Sequence, residues 1–167
     1  MNKALIPITI TTLVTVAGVV AHAVPVAADP PGHRPVEVSH GRFGTLPDGA
    51  DLGYDIRGRA VMFRTDADGG TTYVSIRVRG LDPDTTYKTH VHDLPCSSTP
   101  AGGGHYQHEI GGAVDGANEI WPTISTNSRG HGAGSAVHGE RAREDARSVV
   151  IHWPENSAVR LACLDLS

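Results

Sequence analysis

Four of the ten histidines stand where their ring nitrogens could bind one metal ion. His90 and His92 are two residues apart in a predicted β-strand, so both side chains leave the same face of the sheet. His105 follows three glycines, which let the backbone bend sharply, and His152 ends the apolar run at 149–151. Each alone is typical of a surface or hydrogen-bonded histidine, but four converging imidazoles predict a metal site. Imidazole ligands without a thiolate favour copper(II), with zinc(II) as the competitor.

The elements that would position these histidines are predicted to be β-strands. Residues 72–79 alternate between apolar and polar side chains, which is the pattern of a half-buried antiparallel strand. Short segments of this kind, separated by Gly- and Pro-containing turns, predict an all-β Greek-key sandwich or barrel of about eight antiparallel strands. The predicted strands are residues 60–63, 72–79, 86–91, 120–126, 133–137, 148–152 and 158–165.

Two further stretches have no strand pattern. Residues 93–118 are rich in glycine and proline, and a loop of this length in a compact domain is usually either functional or disordered. Residues 29–50 are predicted to be a flexible, Pro/Gly-rich lead-in with at most a short strand near 36–38. The β domain is therefore expected to cover residues 51–167.

The first 28 residues have the composition of a signal peptide. Lys3 precedes an uncharged apolar stretch at 4–20, and Ala23 and Ala28 offer two cleavage positions. The alternative is a retained membrane anchor, but the stretch is short for a span and no basic cluster follows it. We expect a secreted or otherwise extracytoplasmic protein of the cell envelope, with no membrane span after cleavage.

Charge and cysteine content limit the partners and the compartment. The chain has 14 Lys and Arg against 18 Asp and Glu, with no basic run, so nothing indicates a nucleic acid or an anionic membrane as partner. Cys96 and Cys163 are a lone pair, which in an exported protein predicts a disulfide rather than two free thiols. Such a cross-link contributes roughly 4 kcal/mol through chain entropy.

The order of these features carries a family resemblance. The matching segments are Gly80-Leu81, Thr89-His90-Val91-His92, Cys96, Gly103-Gly104-His105-Tyr106, Ser148-Val149-Val150-Ile151-His152 and Arg160-Leu161-Ala162-Cys163. From about Val61 to the C-terminus this order resembles the copper/zinc superoxide dismutases of the secreted bacterial type. The last segment is the most specific, because it combines a disulfide cysteine with the arginine that stands beside the metal in that family.

The resemblance implies roles for individual residues. The copper ligands would be His90, His92, His105 and His152. Cys96 and Cys163 would form the family's intrasubunit disulfide. Arg160 would draw superoxide toward the copper and orient it, and His105 would gain and lose a proton during the reaction.

Two departures from the family pattern indicate a copper-only variant. The family's zinc site needs two further histidines and an aspartate after the position of His105, but residues 106–119 contain one histidine, placed too early, and no His-x-Gly-Asp pattern. The family's electrostatic loop is reduced to residues 153–159. Zinc binding is therefore not expected, and the copper site is expected to be more open.

Without zinc, a carboxylate is needed to orient the ring of His105 by accepting its second N–H. Glu119 is the first choice, because it lies near the position of the family's zinc-binding aspartate. Glu109 and Asp115 are alternatives, and each of the three acids could instead be a solvated loop residue. His108, His131 and His138 have no assigned role, and His131 and His138 are predicted to be exposed.

The sequence thus predicts copper-dependent dismutation of superoxide to oxygen and hydrogen peroxide. The alternative is a non-catalytic copper-binding or sequestering protein on the same fold, which would have no need of Arg160. A third hypothesis is a structural sandwich that has lost its metal. The oligomeric state and the cleavage position are left open.

Overall fold

The computed structural model describes residues 36–167, and this part of the chain is almost entirely β-sheet. The predicted signal peptide at 1–28 lies outside the described residues. The strands in the described part are β1 Val36–Thr45, β2 Arg57–Thr65, β3 Thr71–Arg79, β4 Thr86–Tyr87, β5 Thr89–His92, β6 Ile124–Thr126, β7 Gly132–His138, β8 Ser148–His152 and β9 Arg160–Asp165. A five-residue helix, α1 Pro47–Asp51, and a short 3-10 turn at Ala67–Gly69 complete it. The predicted all-β class is confirmed.

The nine strands form one antiparallel sheet in the order β4-β6-β7-β3-β2-β1-β9-β8-β5. The two outermost strands, β4 and β5, are consecutive in the chain and separated only by Lys88, so the sheet nearly closes into a barrel. Strand β3 is followed in sequence by β4 but is paired with β7. Strands β6 and β7 lie between β3 and β4 in the sheet. This is a Greek-key connection.

The sheet begins earlier than predicted. Strand β1 pairs with β2 from Val36 to Phe43 and continues onto β9 at Gly44 and Thr45. The lead-in at 29–50 is therefore corrected: from Val36 onward it belongs to the barrel. The alternation was obscured by Gly41, which is needed because a Cβ there would lie 2.0 Å from the backbone oxygen of Asp165.

Alternating side chains of the strands fill the barrel. On β3, the inward residues Val74, Ile76 and Val78 are buried while Arg77 and Arg79 are exposed, as the sequence pattern predicts. Each fully buried Val or Ile contributes about 1.5–3 kcal/mol. By contrast, β5 and β8 are buried along their whole length. Polar side chains on these two strands must therefore find partners within the protein.

The predicted disulfide is confirmed. Cys96 and Cys163 are bonded, with their Cα atoms 5.7 Å apart, and they tie the loop after β5 to β9. A disulfide is compatible with an extracytoplasmic location. None of the helices within residues 36–167 is long and apolar enough to cross a membrane.

Candidate metal centre

Two of the four histidines come from strand β5. His90 and His92 lie opposite Val150 and Ser148 of β8, and both are buried, at 7% and 0% exposure. Their ring centroids are 6.3 Å apart. The two-residue period of a strand places both rings on one face, as the spacing predicts.

The long loop after β5 brings His105 back to this face. The chain turns at Gly102, whose φ is 85° and where a Cβ would lie 2.8 Å from a methyl carbon of Val150. Both the backbone conformation and the space therefore favour glycine. After the turn, His105 forms an isolated antiparallel bridge with His92. The loop is thus bonded to the sheet at His105 itself. The ring centroids of His105 and His90 are 4.0 Å apart.

His152 joins the group from the end of β8, where the register with β9 shifts between Ile151 and His152. Its Nδ1 donates a hydrogen bond to the carbonyl of Ser157, at 2.7 Å. With Nδ1 held in this way, the other ring nitrogen points toward the cluster: Nε2 of His152 lies 3.3 Å from Nε2 of His92. The loop at 153–159 therefore orients a histidine of the cluster.

The four rings converge on one point. Each offers one nitrogen, and these atoms all lie within 4.8 Å of one another. The residues are His90, His92, His105 and His152. Within the described part of the chain, no other set of three or more metal-binding side chains comes together in this way.

An unpaired nitrogen shows that these residues fit a metal ion. The Nδ1 atom of His90 is buried and has no hydrogen-bond partner among residues 36–167. A buried polar atom without a partner costs roughly 1–3 kcal/mol, which an ion bound at that atom would recover. Imidazole nitrogens suit copper, zinc, iron and nickel, so the cluster supports a metal site without fixing the metal.

Burial keeps these imidazoles neutral, which is the form that binds metals. It lowers the pKa of His90 to about 3 and that of His92 to about 2. It also lowers the pKa of His152 to about 4, and the neighbouring His105 adds to the lowering of the pKa in all three. Three of the imidazoles are thus uncharged at neutral pH, and each has one unprotonated nitrogen that can bind a metal.

A buried carboxylate holds the fourth ring. Glu119, which is 2% exposed, accepts a hydrogen bond from Nδ1 of His105 at 2.7 Å through Oε2. The same oxygen accepts the indole N–H of Trp121 at 2.8 Å, and Oε1 accepts from Gln107 at 3.3 Å. Nδ1 of His105 is occupied in this way, which leaves Nε2 for the cluster.

The other two acids considered for this place lie elsewhere. Glu109 is exposed, and Asp115 accepts the backbone N–H groups of Ala117 and Asn118 within its own loop. Glu119 is therefore the only one of the three acids that contacts His105.

Arg160 lies beside the cluster on the neighbouring strand. It is the register partner of His152, and its guanidinium donates a hydrogen bond to the carbonyl of Ala101 in the long loop. The side chain is partly buried, which lowers its pKa from the ordinary value. Its positive charge in turn lowers the pKa of His92 and His152. A cation held by a hydrogen bond thus lies beside the cluster.

Two further histidines are buried, and sequence reasoning missed one of them. His138 was predicted to be exposed but is 9% exposed, and its ring stacks on His108 with centroids 3.7 Å apart. The reason is a pair of backbone contacts: Nε2 of His138 donates to Ala117, and Nδ1 accepts from Glu140. His131 is exposed, as predicted. Nothing in the local sequence of β7 distinguishes His138 from a surface residue.

The chain was also compared with known proteins. No model of a protein family matches it, and a search of the curated proteins finds no significant match.

Proposed function

We propose that this protein binds one copper ion through its four-histidine cluster and catalyses the dismutation of superoxide. Two superoxide anions and two protons would give one oxygen molecule and one hydrogen peroxide. The observation that most supports this proposal is the convergence of four imidazole nitrogens beside an arginine. The order of residues that resembles the copper/zinc superoxide dismutases supports the same proposal.

The donor set favours copper over other ions. All four ligands are imidazoles, and both cysteines are bonded to each other, so no thiolate is present to select a softer site. The two further histidines and the aspartate of a second metal site are not gathered around His105 in the described residues, where Glu119 occupies Nδ1 instead. When bound, copper would supply one-electron chemistry, accepting an electron from one superoxide and returning it to another.

Arg160 would guide the substrate. Superoxide is a small anion, and the net charge of the chain, −4, would repel it at long range. The local field decides capture, and a single guanidinium beside the cluster attracts the anion over the last few ångströms. The hydrogen bond to Ala101 limits the movement of that guanidinium.

His105 is the residue placed to handle the proton. Its side chain is 29% exposed, more than the other three ligands, so solvent can reach it. Its Nδ1–H is held by Glu119, so Nε2 is the atom that would either bind the ion or, when released from it, accept a proton and give it to the reduced product. The buried carboxylate stabilises the imidazolium that would form in between.

The test is superoxide consumption by the copper-loaded protein, measured against an equal concentration of free copper. The proposal predicts faster consumption by the protein. Equal rates would contradict it.

Arg160→Ala separates catalysis from mere copper binding. Loss of electrostatic guidance is expected to lower kcat/KM by roughly tenfold or more, with copper affinity nearly unchanged. Arg147→Ala is the matched control, because this exposed side chain carries the same charge and its removal changes the net charge equally. The backbone N–H that Arg147 donates to the carbonyl of His92 is kept in the alanine variant. Equal activity of the two variants would remove the assigned role of Arg160 and favour a non-catalytic copper-binding protein.

A further inference from the structure

A row of arginines crosses the outer face of the sheet at one end of strands β1, β2 and β3. Arg42 lies directly opposite Arg59, and Arg59 lies directly opposite Arg77. The row continues over two small residues, Ala133 of β7 and Ser125 of β6. All three arginines are exposed. This alignment comes from the register of the strands, because the arginines are far apart in the chain.

A second pair lies next to the row. Arg57 is directly opposite Arg79, two residues further along the same strands. Neighbouring strands are about 4.8 Å apart, and residues i and i+2 of one strand are about 6.7 Å apart. The backbone positions of the five arginines therefore lie within an area of roughly 10 by 7 Å. Like charges directly opposite each other destabilise a sheet. The cluster therefore opposes the stability of the strands that carry it.

Most of this charge is not neutralised within the protein. Arg57 is paired with Asp55 at 2.9 Å, and both side chains are largely exposed. The other four arginines form no salt bridge with any residue in the described part of the chain. An excess of positive charge thus stands on one face of an otherwise acidic protein.

The arginines line an open groove of about 870 Å³. Its other lining includes the small residues Gly132 and Ala133 and the polar residues Ser125 and Asn127. Guanidinium groups bind sulfate, phosphate and carboxylate through paired N–H donors. Hydroxyl and amide groups beside them suit the hydroxyls of a sugar. Because the arginines extend over about 10 Å, they exceed the size of one such anion and match a chain of them.

The lining disfavours two other anionic partners. No Phe, Tyr or Trp lines the groove, whereas single-stranded nucleic acids are bound by stacking on aromatic rings. No exposed large apolar side chain lines it either, so nothing is placed to enter the acyl region of a membrane. Phe63, the nearest exposed aromatic of β2, lies four residues from Arg59 on the same face.

We infer that this groove is a binding site for a linear anionic polysaccharide that carries sulfate, phosphate or carboxylate groups. The site is separate from the metal centre, since none of its lining residues belongs to the histidine cluster. It would hold the protein on a polyanionic layer outside the cell. This inference stands whether or not the proposed activity does.

The probe is immobilised dextran sulfate, with neutral dextran as the uncharged control. The full protein should bind dextran sulfate at low salt, lose affinity as salt rises, and ignore neutral dextran. Arg77→Gln and Arg42→Gln should each lower the affinity about tenfold, which corresponds to about 1.4 kcal/mol for one lost charge-assisted contact. Arg147→Gln removes the same charge elsewhere and should have little effect.

The melting temperature of each variant shows whether a loss of affinity for dextran sulfate comes only from loss of folded protein. Arg77→Gln relieves repulsion from Arg59, so its melting temperature should not fall. The inference is overturned if dextran sulfate does not bind, if Arg147→Gln weakens binding as much as Arg77→Gln, or if neutral dextran binds equally. Equal or tighter binding to a single-stranded oligonucleotide or to phosphatidylserine vesicles would also overturn it. Loss of vesicle binding in Phe63→Ser would then identify a membrane as the partner.

Discussion

Two groups of histidines lie in the described part of this domain, and they differ in what their nitrogens face. In the four-histidine cluster, one nitrogen from each ring points to a common centre. In the stacked pair, His138 gives both nitrogens to backbone groups, and Nδ1 of His108 lies 3.4 Å from the hydroxyl of Tyr106. The pair leaves one buried nitrogen, Nε2 of His108, without a partner among the described residues. One unpartnered nitrogen cannot hold a metal ion, whereas four converging donors could.

The comparison shows that burial alone does not identify a metal ligand. Burial lowers the pKa of His108, as it does for His90 and His92, so a lowered histidine pKa occurs in both groups. The distinguishing property is whether each ring keeps one nitrogen that faces a common centre. His152 keeps one although its Nδ1 is bonded to the carbonyl of Ser157, whereas both nitrogens of His138 are taken by backbone groups.

The largest expected effect is on stability at low pH. Unfolded histidines have a pKa near 6.5, but His90, His92 and His152 have values of about 3, 2 and 4 in the folded protein. Between pH 6.5 and 4 the unfolded chain binds protons that the folded metal-free protein does not. Stability is therefore full above pH 6.5 and falls with pH, by up to about 1.4 kcal/mol per pH unit for each group.

Urea unfolding of the metal-free protein at pH 7, 6 and 5 measures this slope. His92→Gln should reduce the slope, because it removes one of the three groups whose pKa is lowered by folding. A free energy of unfolding that does not change between pH 7 and pH 5 would show that the cluster is not buried as described.

Loss of one ligand should separate the two histidine groups most clearly. His92→Ala removes a donor from the centre and should lower copper affinity by more than about 100-fold, because loss of a mere supporting partner already costs about 10- to 100-fold. His138→Ala should leave copper affinity unchanged. Competition titration against a copper chelator measures both. Similar affinities for the two variants would mean that copper binds elsewhere.

Glu119→Gln tests the orientation of His105. The amide would keep the size of the side chain but weaken the hydrogen bond to Nδ1, so copper affinity should fall about 10- to 100-fold. Glu109→Gln is the matched control, because that side chain is exposed in the same loop. If both variants bind copper as the wild type does, Glu119 has no orienting role.

The smallest effect is expected for the stacked pair itself. His138→Ala leaves the carbonyl of Ala117 without its donor and should lower the free energy of unfolding by about 1–3 kcal/mol. Superoxide consumption by the copper-loaded variant should not change. A loss of activity larger than the loss of folded protein would contradict this and would show that the stacked pair contributes to superoxide consumption.

The sequence predicted the features that depend on short spacing. The period of two on β5, the apolar run of β8 and the lone cysteine pair are local patterns with one simple physical meaning each. It could not predict what depends on register between distant strands. The arginine row forms because Arg42, Arg59 and Arg77 fall opposite one another, although the chain contains no basic run.

Two other features were hidden for similar reasons. The burial of His138 depends on carbonyl groups of a loop that follows no period. Strand β1 was obscured by Gly41, whose role becomes visible only when the last strand is placed against it. Glu119 could be selected by its position relative to a family pattern, but its distance from His105 required the fold.

The most direct test of the central claim is the metal content of the purified protein after copper and zinc have been offered together. Native mass spectrometry of the intact chain, with His92→Ala beside it, gives the stoichiometry and the site in one experiment. The account predicts one copper and no zinc per wild-type chain, and no retained copper in His92→Ala. A wild-type chain without copper, or one that holds zinc as well, would contradict it.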